Sequence, residues 1–176
     1  MIAATVVVLT CAACGSDDGD PGDHRGRDTT GPLVPGRDAR DVRVVDCAHV
    51  IAELPAPSDG FTTHAGDVAL STDRRLPTSS SGDEGPGRKL FAKAGLEVRA
   101  GADVEIRVEG DAAIGWGSPA LPARVIHGPR CAPDTAGVSW VVVPGGFWVD
   151  EPRCVTLVVR SRGEEARARV PVGADC

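Results

Sequence analysis

Leu96-Glu97-Val98-Arg99-Ala100-Gly101-Ala102-Asp103-Val104-Glu105-Ile106-Arg107-Val108-Glu109 is the stretch that decides the fold class. Leu96, Val98, Ala100, Val104, Ile106 and Val108 share one parity. Glu97, Arg99, Glu105, Arg107 and Glu109 share the other. Successive side chains of a strand point to opposite faces, so this alternation describes strands with one dry face and one wet face. Gly101-Ala102-Asp103 supplies the turn between them. A loop of those residues pairs Val98 with Ile106 and Leu96 with Val108. It also sets Arg99 against Glu105 and Glu97 against Arg107. A slip of one residue would oppose apolar to charged side chains, so the charges select this register.

The C-terminal segment follows the same logic. Val155, Leu157 and Val159 alternate with Thr156, Val158 and Arg160, and Ala166, Ala168, Val170 and Val172 alternate with Glu165, Arg167 and Arg169. A loop from Ser161 to Glu164 pairs Val159 with Ala166 and Arg160 with Glu165. Pro171 has no N–H for a ladder, so its strand lies at an edge or ends there. Val138 to Val143 is apolar on both parities except Ser139, which predicts a central strand covered on both faces. Pro144-Gly145-Gly146 reads as a turn into Phe147-Trp148-Val149. Further strands are expected at Val42 to Val45, at Val68 and Leu70, near Ile114, and at Arg124 to Ile126. Ala48 to Leu54 reads as a helical turn with His49 towards the core, ended by Pro55 and Pro57. Thr78 to Gly87 reads as a disordered surface loop. The sum is an all-β domain over residues 41–176, of about eight or nine short strands. It reads as an antiparallel β-sandwich, immunoglobulin-like in the broad sense.

The N-terminal part is different. Ile2 to Leu9 is apolar and uncharged, about half the length needed to cross a bilayer but suited to a secretory signal. Cys14 follows in Thr10-Cys11-Ala12-Ala13-Cys14-Gly15-Ser16, and Asp17-Asp18-Gly19-Asp20 comes next. This resembles the lipobox of bacterial lipoproteins, although Cys11 stands where that family usually has an aliphatic residue and no Lys or Arg precedes the apolar run. The resemblance implies that residues 1–13 are removed and that Cys14 is acylated, palmitate included. It also implies display on the outer face of the cell membrane. Residues 14–40, rich in Gly, Asp, Pro and Arg, cannot bury enough apolar surface to order. They read as a disordered tether of about 25–30 Å end to end, with His24 solvated in it. The block Leu90 to Cys176 also resembles the ectodomains of actinobacterial lipoproteins, a likeness that implies no activity.

Composition narrows the function classes. The net charge is −6, which argues against nucleic-acid partners, usually met by basic surfaces. The chain lacks Asn, Gln and Tyr and has Lys only at Lys89 and Lys93, a bias that fits a high-GC bacterial genome. Beyond Cys11 and Cys14, four cysteines remain: Cys47, Cys131, Cys154 and Cys176. In an exported chain they imply disulfides. The expected pairs are Cys131–Cys154, closing a short loop, and Cys47–Cys176, tying the ends of the domain. Close C-x₂₋₄-C pairs, which a zinc site would need, are missing among these four. No metal and no cofactor is expected.

Gly115-Trp116-Gly117-Ser118-Pro119 resembles a nucleophile elbow only in outline, since it is not G-x-S-x-G. His64 and His127 are the histidines that a hydrolase based on Ser118 would need. Asp83-Glu84, Asp150-Glu151 and Glu164-Glu165 are adjacent pairs whose side chains diverge in a strand. Among the few aromatic residues, Trp140 falls in the central strand. Of Phe147 and Trp148, one points in and the other out. Trp116, between two glycines, either caps the core or stacks on a ligand. A surface shared by Trp116 with Phe147 or Trp148 is the candidate binding patch. The leading expectation is a lipid-anchored, non-catalytic protein that binds an envelope protein or glycan. An envelope hydrolase and a structural spacer stay open as alternatives.

Overall fold

The computed structural model describes residues 41–72, 74–81, 90–132 and 136–176. The signal, Cys14 and the tether with His24 lie outside these residues, as do Asp83-Glu84. The described residues form an all-β structure of fourteen strands in three sheets, where about eight or nine strands were expected. Several of the additional strands have only two or three residues.

Numbered along the chain, the first sheet holds β1 (Val42–Val44), β10 (Val125–His127), β8 (Val104–Val108), β13 (Arg153–Ser161) and β14 (Glu164–Val172), side by side in that order. The second holds β2 (Ala52–Leu54), β11 (Trp140–Val143), β7 (Leu96–Arg99), β4 (Val68–Leu70) and β3 (Thr63–Ala65). The third holds β5 (Ser79–Ser80), β6 (Leu90–Lys93), β12 (Gly145–Val149) and β9 (Ala113–Trp116). Every pairing is antiparallel except β1 with β10. One core takes side chains from all three sheets. Ile106 and Leu157 come from the first, Leu96, Val98 and Val141 from the second, and Ile114 and Phe147 from the third. Full burial of each such side chain contributes about 1.5–3 kcal/mol.

The C-terminal hairpin has the expected register. Val159 opposes Ala166 and Arg160 opposes Glu165. The ladder runs one rung further, to Ser161 and Glu164, so only Arg162 and Gly163 form the turn, both at positive φ (54° and 79°). Such a turn matches the twist of its strands. β14 is an edge strand, which accommodates Pro171. β11 lies between β2 and β7. Pro144 is no hairpin turn, because the chain steps there from the second sheet into the third and Gly145-Gly146 are already strand.

The stretch 96–109 is a correction. Its alternation marks the faces rightly, since Leu96, Val98, Val104, Ile106 and Val108 are all buried in the core. Its two strands do not pair. β7 pairs with β11 and β4, and β8 pairs with β10 and β13. Residues 100–103 form an arch that carries the chain from the second sheet to the first, and its N–H groups are used elsewhere. Ala100 donates to Ser139 and Gly101 to Cys131. Arg99 meets Asp67 rather than Glu105, and Glu105 meets Arg160 at 3.6 Å. Glu97 is buried although it faces away from the core. Segment 55–62 crosses over it, and Ser58 donates to its carboxylate from both the backbone N–H (2.9 Å) and Oγ (2.5 Å).

The disulfides also differ from the expected pairs. Cys47 is joined to Cys131 and Cys154 to Cys176, with Cα–Cα distances of 5.6 and 4.8 Å. Topology explains both. β1 and β10 run parallel, and the Val45 N–H extends the pairing by donating to His127, so the segments leaving them stay side by side. At the far end, Arg153 bridges Gly173, which brings the chain after β14 back beside Cys154. His49 belongs to a single 3₁₀ turn, Cys47–His49, capped by the Asp46 carboxylate, and the chain then continues as strand. Non-reducing peptide mapping is expected to recover Cys47 linked to Cys131 and Cys154 linked to Cys176. Recovery of Cys131 joined to Cys154 would refute this topology.

Candidate functional site

The third sheet turns Ala92, Ile114, Trp116, Phe147 and Val149 into the core. Its other face carries Phe91, the exposed Lys93, Trp148, Ala113, Gly146 and Gly115, as alternation along the strands requires. Trp148 sits between Phe91 on β6 and Ala113 on β9, and Gly146 sits opposite Gly115. The glycines make room for the rings. A Cβ at Gly146 would meet the Phe91 ring at 2.8 Å, and one at Gly115 would meet the Trp148 ring at 3.0 Å. The Phe91 ring lies over Gly146, while the Trp148 ring and the Leu121 backbone share the space over Gly115, and glycine within a strand often marks such close approach. Their centroids are 4.7 Å apart with the planes tilted by 47°.

These rings form the floor of a groove of about 580 Å³. Ser80 and Ser81 stand on one side, and Pro119, Ala120 and Leu121 on the other. Leu121 is 41% exposed. No charged side chain is among the described residues that line the groove. Its volume falls within the usual range for ligand sites.

The expected patch of Trp116 with Phe147 or Trp148 does not form as a surface. Trp116 and Phe147 are both buried, meeting edge to face at 5.7 Å, and the indole Nε1–H of Trp116 donates to the Ala94 carbonyl at 3.1 Å. Trp116 thus caps the core. Phe147 and Trp148 do split between the two faces, and Trp148 alone of the three reaches the groove. Phe91 and Leu121 had no distinguishing pattern in the sequence. The glycines at positions 115 and 146, inside apolar runs, were the signal for them.

A second cluster surrounds Asp67, between β3 and β4. Its buried carboxylate accepts from Ser161 Oγ at 2.5 Å, from Arg162 Nε at 2.8 Å and from Arg99 Nε at 2.9 Å. Burial alone would push its pKa up. The bonds from Arg162, Ser161 and Arg99 outweigh that and hold it below the usual carboxylate range. Ser161 donates straight to the carboxylate with no histidine between them, which is not the arrangement of a nucleophilic triad. Arg99 also lies over the Trp140 ring, 5.0 Å from its centroid.

The remaining candidates are dispersed. His64 on β3 packs edge-on to Trp140 at 6.3 Å. His127 on β10 lies beside Glu105 and Arg160 on the first sheet. Ser118 is exposed, just after β9. Glu151 pairs with Arg153 and Glu165 with Arg160, so these carboxylates belong to surface ion pairs. Among the described residues, no group of three His, Cys, Asp or Glu side chains is placed to hold a metal ion. No protein-family model, curated protein or solved structure matches the chain.

A carboxylate with a lowered folded pKa contributes stability that is present above its unfolded pKa, near 3.8, and lost as pH falls through the folded value. Asp67→Asn is expected to cost about 2–3 kcal/mol at neutral pH. It should also flatten the loss of stability on acidification. Urea unfolding at a series of pH values measures both, and an unchanged acid limb would contradict this role.

Proposed function

We propose that the chain is a lipoprotein anchored through Cys14 on the outer face of the cell membrane, with a non-catalytic binding role at the envelope. Its β-rich domain is read as a sandwich, immunoglobulin-like in the broad sense, with the aromatic groove as its binding surface. One observation carries the binding role: half-buried Phe91 and exposed Leu121 border an open groove on the outward face of the third sheet, with the largely buried Trp148 beneath them. Apolar side chains grouped along an open groove often mark an interaction site. The two disulfides and the Cys11-to-Ser16 segment support the exported location.

Binding is favoured over hydrolysis because Ser118, His64 and His127 occupy different elements, and His64 already packs against Trp140. A spacer would have no need of the groove.

Cys14→Ser is expected to move the protein from the membrane fraction to the soluble exported fraction, and unchanged partitioning would sink the anchor. A photo-reactive amino acid in place of the exposed Leu121 is expected to cross-link an envelope component in intact cells. If it captures none while the same group placed outside the groove behaves identically, the binding role falls.

A further inference from the structure

We infer that the Asp59–Gly60 bond is a site of spontaneous modification, isomerising through a cyclic imide to isoaspartate, and that this conversion releases segment 55–62 from the second sheet. Asp59 and Gly60 are the middle residues of a turn closed by the Phe61 N–H, which donates to the Ser58 carbonyl at 2.8 Å. Both are exposed. Among the aspartates of the described residues, Asp59 alone precedes a glycine. The missing side chain matters, because the Gly60 nitrogen must close on the Asp59 side-chain carbon and a Cβ beside it would hinder the approach. The surroundings are open too, since a Cβ at Gly60 would meet nothing within 4 Å. Among the described residues, nothing accepts from the Gly60 N–H and nothing pairs with the Asp59 carboxyl. Asp67 is the contrast: it is buried, precedes Val68, and has its carboxylate held by Ser161, Arg162 and Arg99.

The chemistry needs only water. The Gly60 nitrogen bonds to Cγ of the protonated Asp59 carboxyl and gives up its proton, and the carboxyl hydroxyl leaves as water. A second water then opens the imide. Opening at Cγ restores aspartate. Opening at the main-chain carbonyl gives isoaspartate, in which the chain runs through Cγ and the former main-chain carbonyl is a free carboxylate. The structural consequence follows from how the turn is moored. Ser58 donates to the buried Glu97 carboxylate from its N–H and its Oγ, at 2.9 and 2.5 Å. The Phe61 ring lies over Gly95, where a Cβ would meet it at 3.1 Å. Gly95 comes just before β7 and Glu97 is on it, so the two moorings have a spacing that the turn must match. Isoaspartate adds a methylene to the backbone between Ser58 and Phe61, and the turn no longer fits both. Losing Ser58 leaves the buried Glu97 carboxylate without its donors, which destabilises the packed form of the segment.

The experiment ages the folded full-length chain in mild detergent at mildly acidic pH, where part of the carboxyl is protonated. Peptide mapping by a fragmentation method that separates aspartate from isoaspartate reads the product. Asp103 and Asp150, exposed but followed by Val104 and Glu151, are the internal references. Isoaspartate is expected to accumulate at position 59 and to stay at background at 103 and 150. Gly60→Ala is expected to fold as the parent does, since the site has room and its φ lies outside the left-handed region, and to lose the product at 59. Hydrogen exchange on the isoaspartate form, separated by chromatography, is expected to show the Ser58 amide exchanging faster than in the fresh chain. Conversion at 59 no greater than at the references, or undiminished in Gly60→Ala, would overturn the modification site. Unchanged exchange across 55–62 in the isoaspartate form would overturn the release.

Discussion

The Asp67 carboxylate is the tie on which the meeting of the first two sheets depends. It is buried between β3 and β4 of the second sheet and bonded to the turn between β13 and β14 of the first. Desolvating a charge costs several kcal/mol, so its position is tolerable only with its partners in place. Three side chains supply them, and one carries backbone strain of its own. Arg162 sits at φ 54°, a conformation disfavoured for side chains with a Cβ, and its guanidinium bonds Asp67. A two-residue turn and a junction between sheets thus stabilise each other.

Around that junction the chain advances partly by arches instead of hairpins. Residues 100–103 pass from the second sheet to the first, and Pro144 passes from the second to the third. Each step keeps apolar side chains directed at one core while handing the backbone to new partners. Segment 55–62, held by Ser58 on Glu97, adds a cover over the second sheet. β7 is therefore enclosed on both faces although its sequence alternates.

The aromatic groove follows from the same economy of space. Three small residues, Ala113, Gly115 and Gly146, leave low ground on the outward face of the third sheet. Phe91 and Trp148 lie down over them, and the segment with Pro119 and Leu121 walls off one side.

By itself the sequence determined which side chains face inward, the all-β class, and the C-terminal register, where Val159 with Ala166 and Arg160 with Glu165 are joined by a tight local turn. In those places the partner is only a few residues away, and period and turn chemistry carry the information. It also separated Phe147 from Trp148 by face, through the same alternation. It did not determine that β7 and β8 part company, because an arch and a hairpin show the same alternation and differ only in which distant strands take the hydrogen bonds. The cysteine pairing was undetermined for a similar reason. Loop entropy gives about 8.3 kcal/mol in total for the expected pairs and about 7.9 for the observed ones, too close to choose between them. Only the parallel approach of β1 to β10, decided by contacts across the whole chain, placed Cys47 beside Cys131. The groove belongs to the same class: Phe91, Trp148 and Leu121 are far apart in sequence, and tertiary packing alone made them neighbours.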